Sequence, residues 1–553
     1  MASRSGGQIL VDQLRIQGAK HVYGVPGESY LALLDALHDA PEIKFLICRQ
    51  EGGAAMMAEA DAKLTGKPGI CMVTRGPGAT NASAGIHIAH QDSTPLILLI
   101  GQVARGMMGR EAFQEIDFRH MYEPLAKWVA QIDDPNRIPE MIARAFSVAS
   151  SGRPGPVVLA LPEDMLSETV DVIDAERIKT SQAYPSSESI RMFSEILKTS
   201  ERPLIIVGGG GWDETAIENL KAFVERSNIP VVTSFRRQDY FDNAHPSFAG
   251  FLGIGVNPKL AQRVQDADLL IVLGARLSEV PTSGYSLIKI PTPLQNLVHI
   301  HADVEELGRV YQSNLPINAN PCAMAAALKD LSLDGRSRIW SSWLQGAHND
   351  YQAYSQPTKT PGNLQMSEVI LHLQKVLPET AIITNGAGNY TAWIHRFYRY
   401  RQYGTQLAPT AGSMGYGIPA AVAAKLRMPE REVFAFAGDG CFLMNGQEFA
   451  TAVQYGANII CIVVNNSMLG TIRMHQERNY PGRVSNTSLV NPNFASYAEA
   501  FGGYGEVVTR TDEFPAALQR ARDSEKPAIL ELRVDPEALT PGQSLSEIRG
   551  VSG

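Results

Sequence analysis

Residues 438–466, GDGCFLMNGQEFATAVQYGANIICIVVNN, decide the fold of the part of the chain in which they lie. The apolar segment VFAFA precedes them and predicts a buried strand that ends at Gly438. A helical pattern follows, and a second apolar segment, IICIVV, predicts a strand that ends at the pair Asn465-Asn466. A strand, a helix and a strand in this order predict two parallel strands joined by a crossover helix. Asp439 and Asn466 are therefore expected at the same edge of one sheet.

The residue types at this edge indicate what it binds. A carboxylate at Asp439, an amide at Asn466 and a nearby backbone carbonyl are hard oxygen ligands, which suit Mg²⁺ bound to a diphosphate. Gly438 and Gly440 let backbone amides approach phosphate oxygens, and the start of the following helix favours an anion. Parallel α/β sheets place ligands at this edge. GDG alone is also common in turns, so the second half of the motif carries the prediction.

The same alternation of apolar strands and helical patterns runs through the whole chain and predicts an α/β fold. Polar stretches divide it into three consecutive domains, each with a parallel sheet flanked by helices. Residues 536–553 form a C-terminal tail, which is either a flexible arm or a packed cap. We place the three domains at residues 1–178, 188–340 and 360–535.

Composition excludes several classes of protein. The 553 residues are 44% hydrophobic and 19% charged, as in ordinary globular proteins. The net charge of -8, without a basic run, argues against a nucleic-acid partner. The N-terminus lacks a signal peptide, and no apolar run approaches the roughly 20 residues that span a bilayer. The five scattered cysteines are expected to be reduced. These features predict a cytoplasmic protein that does not bind membranes.

The GDG…NN arrangement, with 24 residues (441–464) between its halves, resembles the cofactor motif of thiamine-diphosphate-dependent enzymes. The resemblance implies that the three domains are a pyrimidine-binding domain, a central Rossmann-like domain and a diphosphate-binding domain. It also implies thiamine diphosphate and Mg²⁺ as cofactors. The implied metal ligands are Asp439, Asn466 and the backbone carbonyl of Met468. The implied cofactor contacts in the motif are Gly438, Gly440 and Cys441.

Glu51, in CRQEGGAAMMAEA, follows a predicted strand and opens a predicted helix. The resemblance implies that its carboxyl group contacts the aminopyrimidine ring of the cofactor and relays a proton there. An acidic residue that only stabilises the N-terminus of its helix is the alternative.

Two further stretches match the family. Residues 408–424, APTAGSMGYGIPAAVAA, resemble the loop in which a large residue, here Met414, bends the cofactor. The carbonyl of Gly412 would then accept the amine of the pyrimidine ring. Without the resemblance, Met414 would be a core residue in a glycine-rich turn. Residues 385–393, NGAGNYTAW, follow a predicted strand and offer phosphate-binding amides at Asn389 and Tyr390.

Within the family, the catalytic subunits of acetolactate synthase and their relatives, which include pyruvate oxidase and benzoylformate decarboxylase, have the most similar pattern. The resemblance rests on GPGATN (76–81), DSTPLILLIGQV (92–103) and AFQEID (112–117). It implies that Phe113 and Gln114 line the reaction pocket beside the cofactor.

The chain also departs from this group. Arg75 replaces a serine, Glu28 replaces a small residue, and no Trp follows the NN pair. The resemblance implies that Arg75 and Glu28 both lie beside the reactive carbon of the cofactor, as candidate catalytic residues. Arg75 can hold a substrate carboxylate, or it can pair with Glu28. His475 is a candidate proton donor at the mouth of the pocket.

These features predict a lyase or carboligase that acts on a 2-oxo acid or an aldehyde. A FAD-containing 2-oxo acid oxidase and a non-catalytic homologue are the alternatives. The GGGG run at 208–211 leaves open whether the central domain binds FAD, a nucleotide or nothing. The resemblance also implies a homodimer or homotetramer with active sites between subunits.

Overall fold

The structure, a computed structural model, describes residues 3–333 and 337–550. These residues form two compact units. The first unit contains the chain up to Ser181 together with Pro409–Pro429 and Asn445–Ala457. The second unit contains Gln182–Ala408, Glu430–Met444 and the chain from Asn458 onwards. Two short segments of the C-terminal third therefore belong to the first unit.

The N-terminal part of the first unit alternates strands and helices. Its strands are β1 (Arg4–Ser5), β2 (His21–Gly24), β3 (Lys44–Ile47), β4 (Gly69–Val73), β5 (Leu96–Gln102), β6 (Trp128–Gln131), β7 (Pro156–Pro162) and β8 (Thr169–Val170). Its helices are α1 (Gly6–Gln17), α2 (Leu31–His38), α3 (Glu51–Thr65), α4 (Pro77–Asp92), α5 (Phe118–Tyr122), α6 (Ile138–Ser150) and α7 (Glu163–Ser167). A parallel sheet has the order β3-β2-β4-β5-β7-β6, and β1 pairs antiparallel with β8.

Burial explains the apolar runs of this sheet. Every residue of β4, β5 and β7 is buried, because these strands lie inside the sheet and helices cover both of its faces. Helix α1 begins with a reciprocal cap, in which the Ser5 side chain accepts the Gln8 N–H and the Gln8 side chain accepts the Ser5 N–H. The loops after β3, β4 and β5 start from the ends of strands in this sheet.

The central part of the chain forms a second parallel sheet. Its strands are β9 (Pro203–Val207), β10 (Val231–Thr233), β11 (Phe248–Phe251), β12 (Leu269–Leu273), β13 (Asn296–His301) and β14 (Leu315–Asn318), in the order β11-β10-β9-β12-β13-β14. The helices are α8 (Ser187–Thr199), α9 (Glu214–Ser227), α10 (Pro258–Asp266), α11 (Pro321–Lys329) and α12 (Ser337–Tyr354). The chain order reverses between β9 and β12, which is the usual position of a ligand crevice in such a sheet.

The C-terminal part forms the third parallel sheet. Its strands are β15 (Ile382–Asn385), β16 (Gln406–Leu407), β17 (Val433–Gly438), β18 (Ile460–Asn465), β19 (Tyr504–Val508) and β20 (Ala528–Arg533), in the order β16-β15-β17-β18-β20-β19. The helices are α13 (Met366–Val376), α14 (Thr391–Phe397), α15 (Gly417–Arg427), α16 (Asp439–Asn445), α17 (Glu448–Tyr455), α18 (Gly470–Asn479), α19 (Phe494–Ala500), α20 (Phe514–Asp523) and α21 (Leu545–Arg549). Helices α15 and α17 belong to the first unit, where α15 packs against α3.

The predicted class of fold is confirmed: three parallel sheets are flanked by helices, and β17, α16, α17 and β18 follow one another as the motif requires. The tail up to residue 550 is a packed cap rather than a flexible arm, because Arg549 of α21 bonds to Glu477 at 2.9 Å. Among the described residues, no helix has the length and apolarity that a membrane crossing needs.

Candidate active site

Polar residues gather at the carboxyl edge of the third sheet. Strands β15, β17 and β18 are neighbours there, and they end at Asn385, Gly438 and Asn465. Asp439 begins α16 directly after β17, and Asn466 directly follows β18. The structure therefore brings the two halves of the GDG…NN motif to adjacent strand ends, as the sequence predicts.

Asp439 is buried, with only 2% of its surface exposed. Its Oδ2 accepts a hydrogen bond of 2.7 Å from the side-chain amide of Asn491, which also donates to Oδ1 of Asn465 at 3.1 Å. Burial raises the pKa of the Asp439 carboxyl, because it removes the charged form from water, and hydrogen bonds from Gly440 and Asn491 oppose this rise.

The turn after β18 separates the roles of the two asparagines. Asn465 is held by the protein itself, since its amide nitrogen donates to Glu531 at 2.9 Å and its oxygen accepts the N–H of Ser467 at 3.0 Å. Asn466 remains at the sheet edge, where its oxygen accepts the N–H of Met468 at 3.2 Å. Ser467 has a φ of 56°, a left-handed conformation that reverses the chain between Asn466 and Met468.

The side chain of Tyr390 packs against the GDG turn. Its hydroxyl group accepts the Gly386 N–H at 3.0 Å and lies 3.3 Å from Sγ of Cys441. A Cβ at Gly438 would lie 3.1 Å from the Tyr390 ring, so the glycine lets the turn rest on the ring. Asn389, beside it, accepts a hydrogen bond of 2.9 Å from Thr471. Tyr390 therefore contributes side-chain support for the turn, whereas Asn389 bonds to α18.

The donor set fits a magnesium ion and a diphosphate. The side-chain oxygens of Asn385 and Asn491 are buried without a hydrogen-bond partner within residues 3–333 and 337–550. Buried acceptors without partners are rare unless a ligand or water serves them. Asp439 and Asn466 add a carboxylate and an amide oxygen that keeps a free lone pair, both of which are ligands that Mg²⁺ accepts.

Helix α18 continues from this turn and is fixed at its far end. Glu477 is buried and accepts hydrogen bonds from Arg473 at 2.7 Å and from Arg549 at 2.9 Å. Hydrogen bonds led by Arg549 lower the pKa of the Glu477 carboxyl to about 2. His475, on the same helix, is exposed. His475 thus lies in the second turn of the helix that follows Met468.

Glu51 is the first residue of α3 in the first unit and is half-buried. Its Oε2 accepts a hydrogen bond of 2.9 Å from the side-chain amide of Asn81, which lies on α4. A Cβ at Gly78 would lie 3.4 Å from Oε1 of Glu51, so the start of α4 passes close to the carboxylate. The start of α4, which carries most of GPGATN, therefore contacts the side chain of Glu51 directly.

The same loop contacts the predicted pocket residues. Arg75 donates to the backbone carbonyl of Phe113 at 3.3 Å, and a Cβ at Gly76 would lie 2.7 Å from Cβ of Gln114. The ring of Phe113 is 79% exposed. The structure thus brings Arg75, Phe113 and Gln114 together in one place.

The alternative pairing of Arg75 with Glu28 is wrong. Arg75 forms its ion pair with Glu163 at 2.9 Å, because Glu163 begins α7 directly after β7 and faces the loop after β4. Glu28 lies in an exposed turn between β2 and α2. The arginine is thereby held in place by a residue that the sequence did not indicate.

The loop that carries Gly412 and Met414 is tied to α3 and α4. Thr410 donates to Asp92 through its backbone N–H at 2.8 Å, and Tyr416 donates to Glu59 at 2.6 Å. Both carboxylates are buried within the first unit. These bonds fix both ends of the loop, so the half-buried Met414 and the exposed Gly412 sit on a defined backbone.

The crevice of the central sheet does not fit a dinucleotide. The indole N–H of Trp212 donates to the carbonyl of Gly208 at 2.8 Å, and the hydroxyl of Tyr240 donates to that of Gly209 at 2.8 Å. A Cβ at Gly209, whose φ is 78°, would lie 1.9 Å from the carbonyl oxygen of Gly274. The glycine run therefore serves a close approach of two turns, which aromatic rings then cover.

The start of α9, the helix after this run, is also occupied. The carboxylate of Asp213 accepts the N–H of Ala216 at 2.7 Å, as an N-cap does. A pyrophosphate at this helix N-terminus would meet that negative charge. The rings of Trp212 and Tyr240 pack against each other beside the glycine run, with their centroids 5.7 Å apart.

Three further residues, in addition to Glu163, could not be predicted from the sequence. Asn81 lies in GPGATN and Glu448 in the GDG…NN stretch, but neither residue type indicates which distant residue it contacts. Asn491 lies in a polar loop that offers no signal. The contacts of all three depend on segments that are distant in the chain.

Comparison with known proteins identifies the class. Three family models match the chain in order: the N-terminal TPP binding domain of thiamine pyrophosphate enzymes at residues 4–121, their central domain at 190–328 and their C-terminal TPP binding domain at 386–532. The chain belongs to the thiamine pyrophosphate enzyme family, and it is an enzyme that uses thiamine diphosphate.

Within this family, the chain is similar over its full length to acetolactate synthase large subunits. It is 31% identical to that of Corynebacterium glutamicum, over 99% of this chain and 90% of the relative. It is 30% identical to the isozyme 2 large subunit of Escherichia coli K12, over 98% of this chain and 99% of the relative. A probable large subunit from Methanocaldococcus jannaschii is 32% identical, over 98% and 95% of the two chains.

Proposed function

We propose that the protein is a Mg²⁺- and thiamine-diphosphate-dependent carboligase or decarboxylase that acts on 2-oxo acids, with acetolactate-synthase-like chemistry. The observation that carries the proposal is Glu51, a half-buried carboxylate at the start of α3 that Asn81 holds at 2.9 Å. An acidic residue that only served its helix would not need a side-chain amide to orient it. The oriented carboxylate supports catalysis over a non-catalytic role.

The residues of the third sheet would hold the cofactor. Asp439, Asn466 and the carbonyl of Met468 would bind Mg²⁺, and the turn at Gly438 and Gly440 would receive the diphosphate. Tyr390 and Cys441 support that turn with bonds of their own. The buried side-chain oxygens at this edge are the observation in favour of this assignment.

Thiamine diphosphate, when bound, supplies an electron sink for a carbanion that forms next to a carbonyl group. Glu51 would hold a proton at its carboxyl group and exchange it with the ring nitrogen of the aminopyrimidine. Met414 would press the cofactor into its bent form, and the Gly412 carbonyl would accept the amino group. Phe113 and Gln114 would shield and orient the substrate. His475 would donate a proton at the mouth of the pocket.

Arg75 supports an anionic substrate. Its guanidinium donates to the backbone carbonyl of Phe113, next to Gln114, and Glu163 holds it there. A guanidinium binds a carboxylate with two parallel hydrogen bonds, which suits the carboxylate of a 2-oxo acid. The relatives of similar length are named acetolactate synthase large subunits. Acetolactate formation joins two 2-oxo acids, which carry such a carboxylate.

The protein would work without FAD, because Trp212 and Tyr240 bond to the carbonyls of the glycine run and Asp213 places a carboxylate at the N-terminus of α9. This excludes the flavin oxidase from the proposal. We further propose a cytoplasmic homodimer or homotetramer in which two subunits complete each active site. The five cysteines are free thiols, which agrees with a reducing compartment.

The test is a panel of 2-oxo acids, with pyruvate among them, incubated with the protein, thiamine diphosphate and Mg²⁺. Released CO₂ and the carbon products are measured by mass spectrometry. Release of CO₂ from at least one 2-oxo acid, dependent on both cofactors and lost in Glu51→Gln, is expected. Absence of turnover across the panel, in protein that binds the cofactor, would refute the proposal.

A further inference from the structure

Glu448 is a buried carboxylate that the proposed chemistry does not use. It is the first residue of α17 and has 0% of its surface exposed. A buried carboxylate is costly unless hydrogen bonds compensate for the lost water. Its partners therefore indicate why it is there.

Those partners are the backbone amides directly before Glu51. Oε1 of Glu448 accepts the N–H of Arg49 at 3.0 Å and the N–H of Gln50 at 3.0 Å. Oε2 accepts the hydroxyl of Thr451 at 2.6 Å. Amides at the start of a helix have no partner inside the helix, so a carboxylate from another segment serves the entrance of α3.

Three more contacts fix the same entrance. The side chain of Gln50 accepts the N–H of Gly53 at 3.0 Å, and the hydroxyl of Tyr455 accepts the N–H of Ile47 at 2.8 Å. The guanidinium of Arg49 donates to Gln454 at 2.5 Å. Helix α17 thus holds the turn from β3 to α3 along its whole length.

Gly53 makes room for this carboxylate. A Cβ at Gly53 would lie 2.7 Å from Oε1 of Glu448 and 2.9 Å from its Cγ. The glycine lies inside α3, where alanine is the better helix former. Glycine at this position lowers the intrinsic stability of the helix, but it leaves the space that the Glu448 side chain needs.

We propose that Glu448 is a positioning residue: its carboxylate fixes the turn Arg49-Gln50 and so aims Glu51 at the aminopyrimidine ring. The inference rests on the proposed role of Glu51. Asn81 bonds to the side-chain carboxylate of Glu51, and Glu448 bonds to the backbone amide of Gln50, directly before Glu51. Burial raises the pKa of the Glu448 carboxyl, and hydrogen bonds from Thr451 and the two amides oppose the rise.

The test compares Glu448→Ala with Glu448→Gln. The alanine variant loses every acceptor, whereas the glutamine oxygen still accepts both amides and its nitrogen can donate to Thr451. The direct readout is the rate at which the acidic ring proton of bound thiamine diphosphate exchanges with deuterium, which needs no substrate. A misaimed relay costs at least about tenfold in this rate, so we expect that loss in Glu448→Ala and recovery to within about threefold in Glu448→Gln.

A second readout needs neither substrate nor cofactor. Deuterium uptake by the backbone peptide around Arg49 and Gln50 should increase in Glu448→Ala and stay at the wild-type level in Glu448→Gln. Cofactor affinity, measured by calorimetry, should change by less than about threefold in both variants, because neither removes a ligand of the diphosphate.

Gly53→Ala gives an independent variant that favours the helix while it crowds Glu448. We expect it to lower the deuterium exchange rate of the cofactor as Glu448→Ala does, although the protein stays folded. This variant decides the matter if Glu448→Ala fails to fold.

Asp268→Ala is the matched control. Asp268 also accepts two consecutive backbone amides, of Glu201 at 2.6 Å and Arg202 at 2.8 Å, and one hydroxyl, but it lies in the central sheet. We expect it to leave the cofactor exchange rate unchanged. Unchanged exchange in Glu448→Ala, or equal losses in Glu448→Ala and Glu448→Gln, would overturn the positioning role. Lack of turnover with all 2-oxo acids would instead refute the proposed function and leave these readouts intact.

Discussion

The side-chain amide of Asn491 donates a hydrogen bond of 2.7 Å to Oδ2 of Asp439. The two residues are 52 positions apart, and the contact orients the carboxylate that is expected to bind Mg²⁺. The side-chain oxygen of Asn491, Oδ1, is buried and has no hydrogen-bond partner in the part of the chain that the structure describes. Asn491 would therefore support the proposed metal site by orienting Asp439.

Asn491→Leu should weaken Mg²⁺-dependent binding of thiamine diphosphate, because Asp439 loses the bond that orients it. Residues that orient metal ligands typically contribute about 10- to 100-fold in affinity, and we expect a loss at the lower end of this range. Calorimetric titration of the cofactor at fixed Mg²⁺ measures it. Asn493→Ala, which removes only a helix cap on Ser496, is the control and should keep wild-type affinity. Equal affinities in both variants would contradict the role of Asn491.

Glu51→Gln should lower turnover by at least about 10², because an amide fills the same space but cannot exchange the proton. Cofactor affinity should stay within about tenfold of the wild type, since Asn81 can still bond to the amide oxygen. Steady-state kinetics and calorimetry on the same preparation separate the two effects. Wild-type turnover in Glu51→Gln would be incompatible with a catalytic Glu51.

Mixing two inactive variants tests whether active sites are shared. Asp439→Ala should lose Mg²⁺-dependent cofactor binding, because a carboxylate ligand is gone. If Glu51 acts on the cofactor of the partner subunit, a mixed dimer with Glu51→Gln has one site without a lesion. Activity should then return to roughly a quarter of the wild-type level after random exchange between subunits.

Subunit exchange in this experiment is verified by mass spectrometry of the intact dimers. Each variant incubated alone is the control and should stay inactive. Mixed dimers that form but remain inactive would show that each site is built from one chain.

Arg75→Gln should raise KM for 2-oxo acids about tenfold or more, because a charge-assisted bond to the substrate carboxylate is lost. A neutral aldehyde substrate should be affected much less. Glu163→Gln removes the ion-pair partner of Arg75 and keeps the guanidinium, so it serves as the matched control. If both variants change KM equally for charged and neutral substrates, Arg75 has only a structural role.

The purified protein should contain no flavin, because Trp212 and Tyr240 cover the turn where a dinucleotide would lie. Its visible spectrum should lack a flavin band, and added FAD should neither bind in a fluorescence titration nor change the turnover. Thiamine diphosphate serves as the positive control for binding. Saturable binding of FAD would show that the crevice opens.

The chain itself determined the inner strands and the order of the motif. Strands with both faces covered, such as β5 and β17, are continuous apolar runs that the sequence shows directly. The strands without such a run in the sequence are all at sheet edges: β1, β6, β8, β11, β14, β16 and β19. Most of them are short or only partly buried, and so they lack a long apolar run.

The candidate site divides in the same way. Asp439 and Asn466 directly follow the apolar strands β17 and β18, so their residue types and spacing indicate the chemistry from the sequence alone. The role predicted for Glu51, which opens α3, came instead from the resemblance to the family. Asn81, Asn491, Glu163 and Glu448 could not be predicted, because a polar residue in a loop or at a helix start becomes informative only through a partner far along the chain. The close approach at Gly209 likewise depends on Gly274, which only the packed sheet brings near. Local sequence determines where strands and helices end and where polar side chains lie along the chain. The tertiary fold determines which of these side chains contact each other.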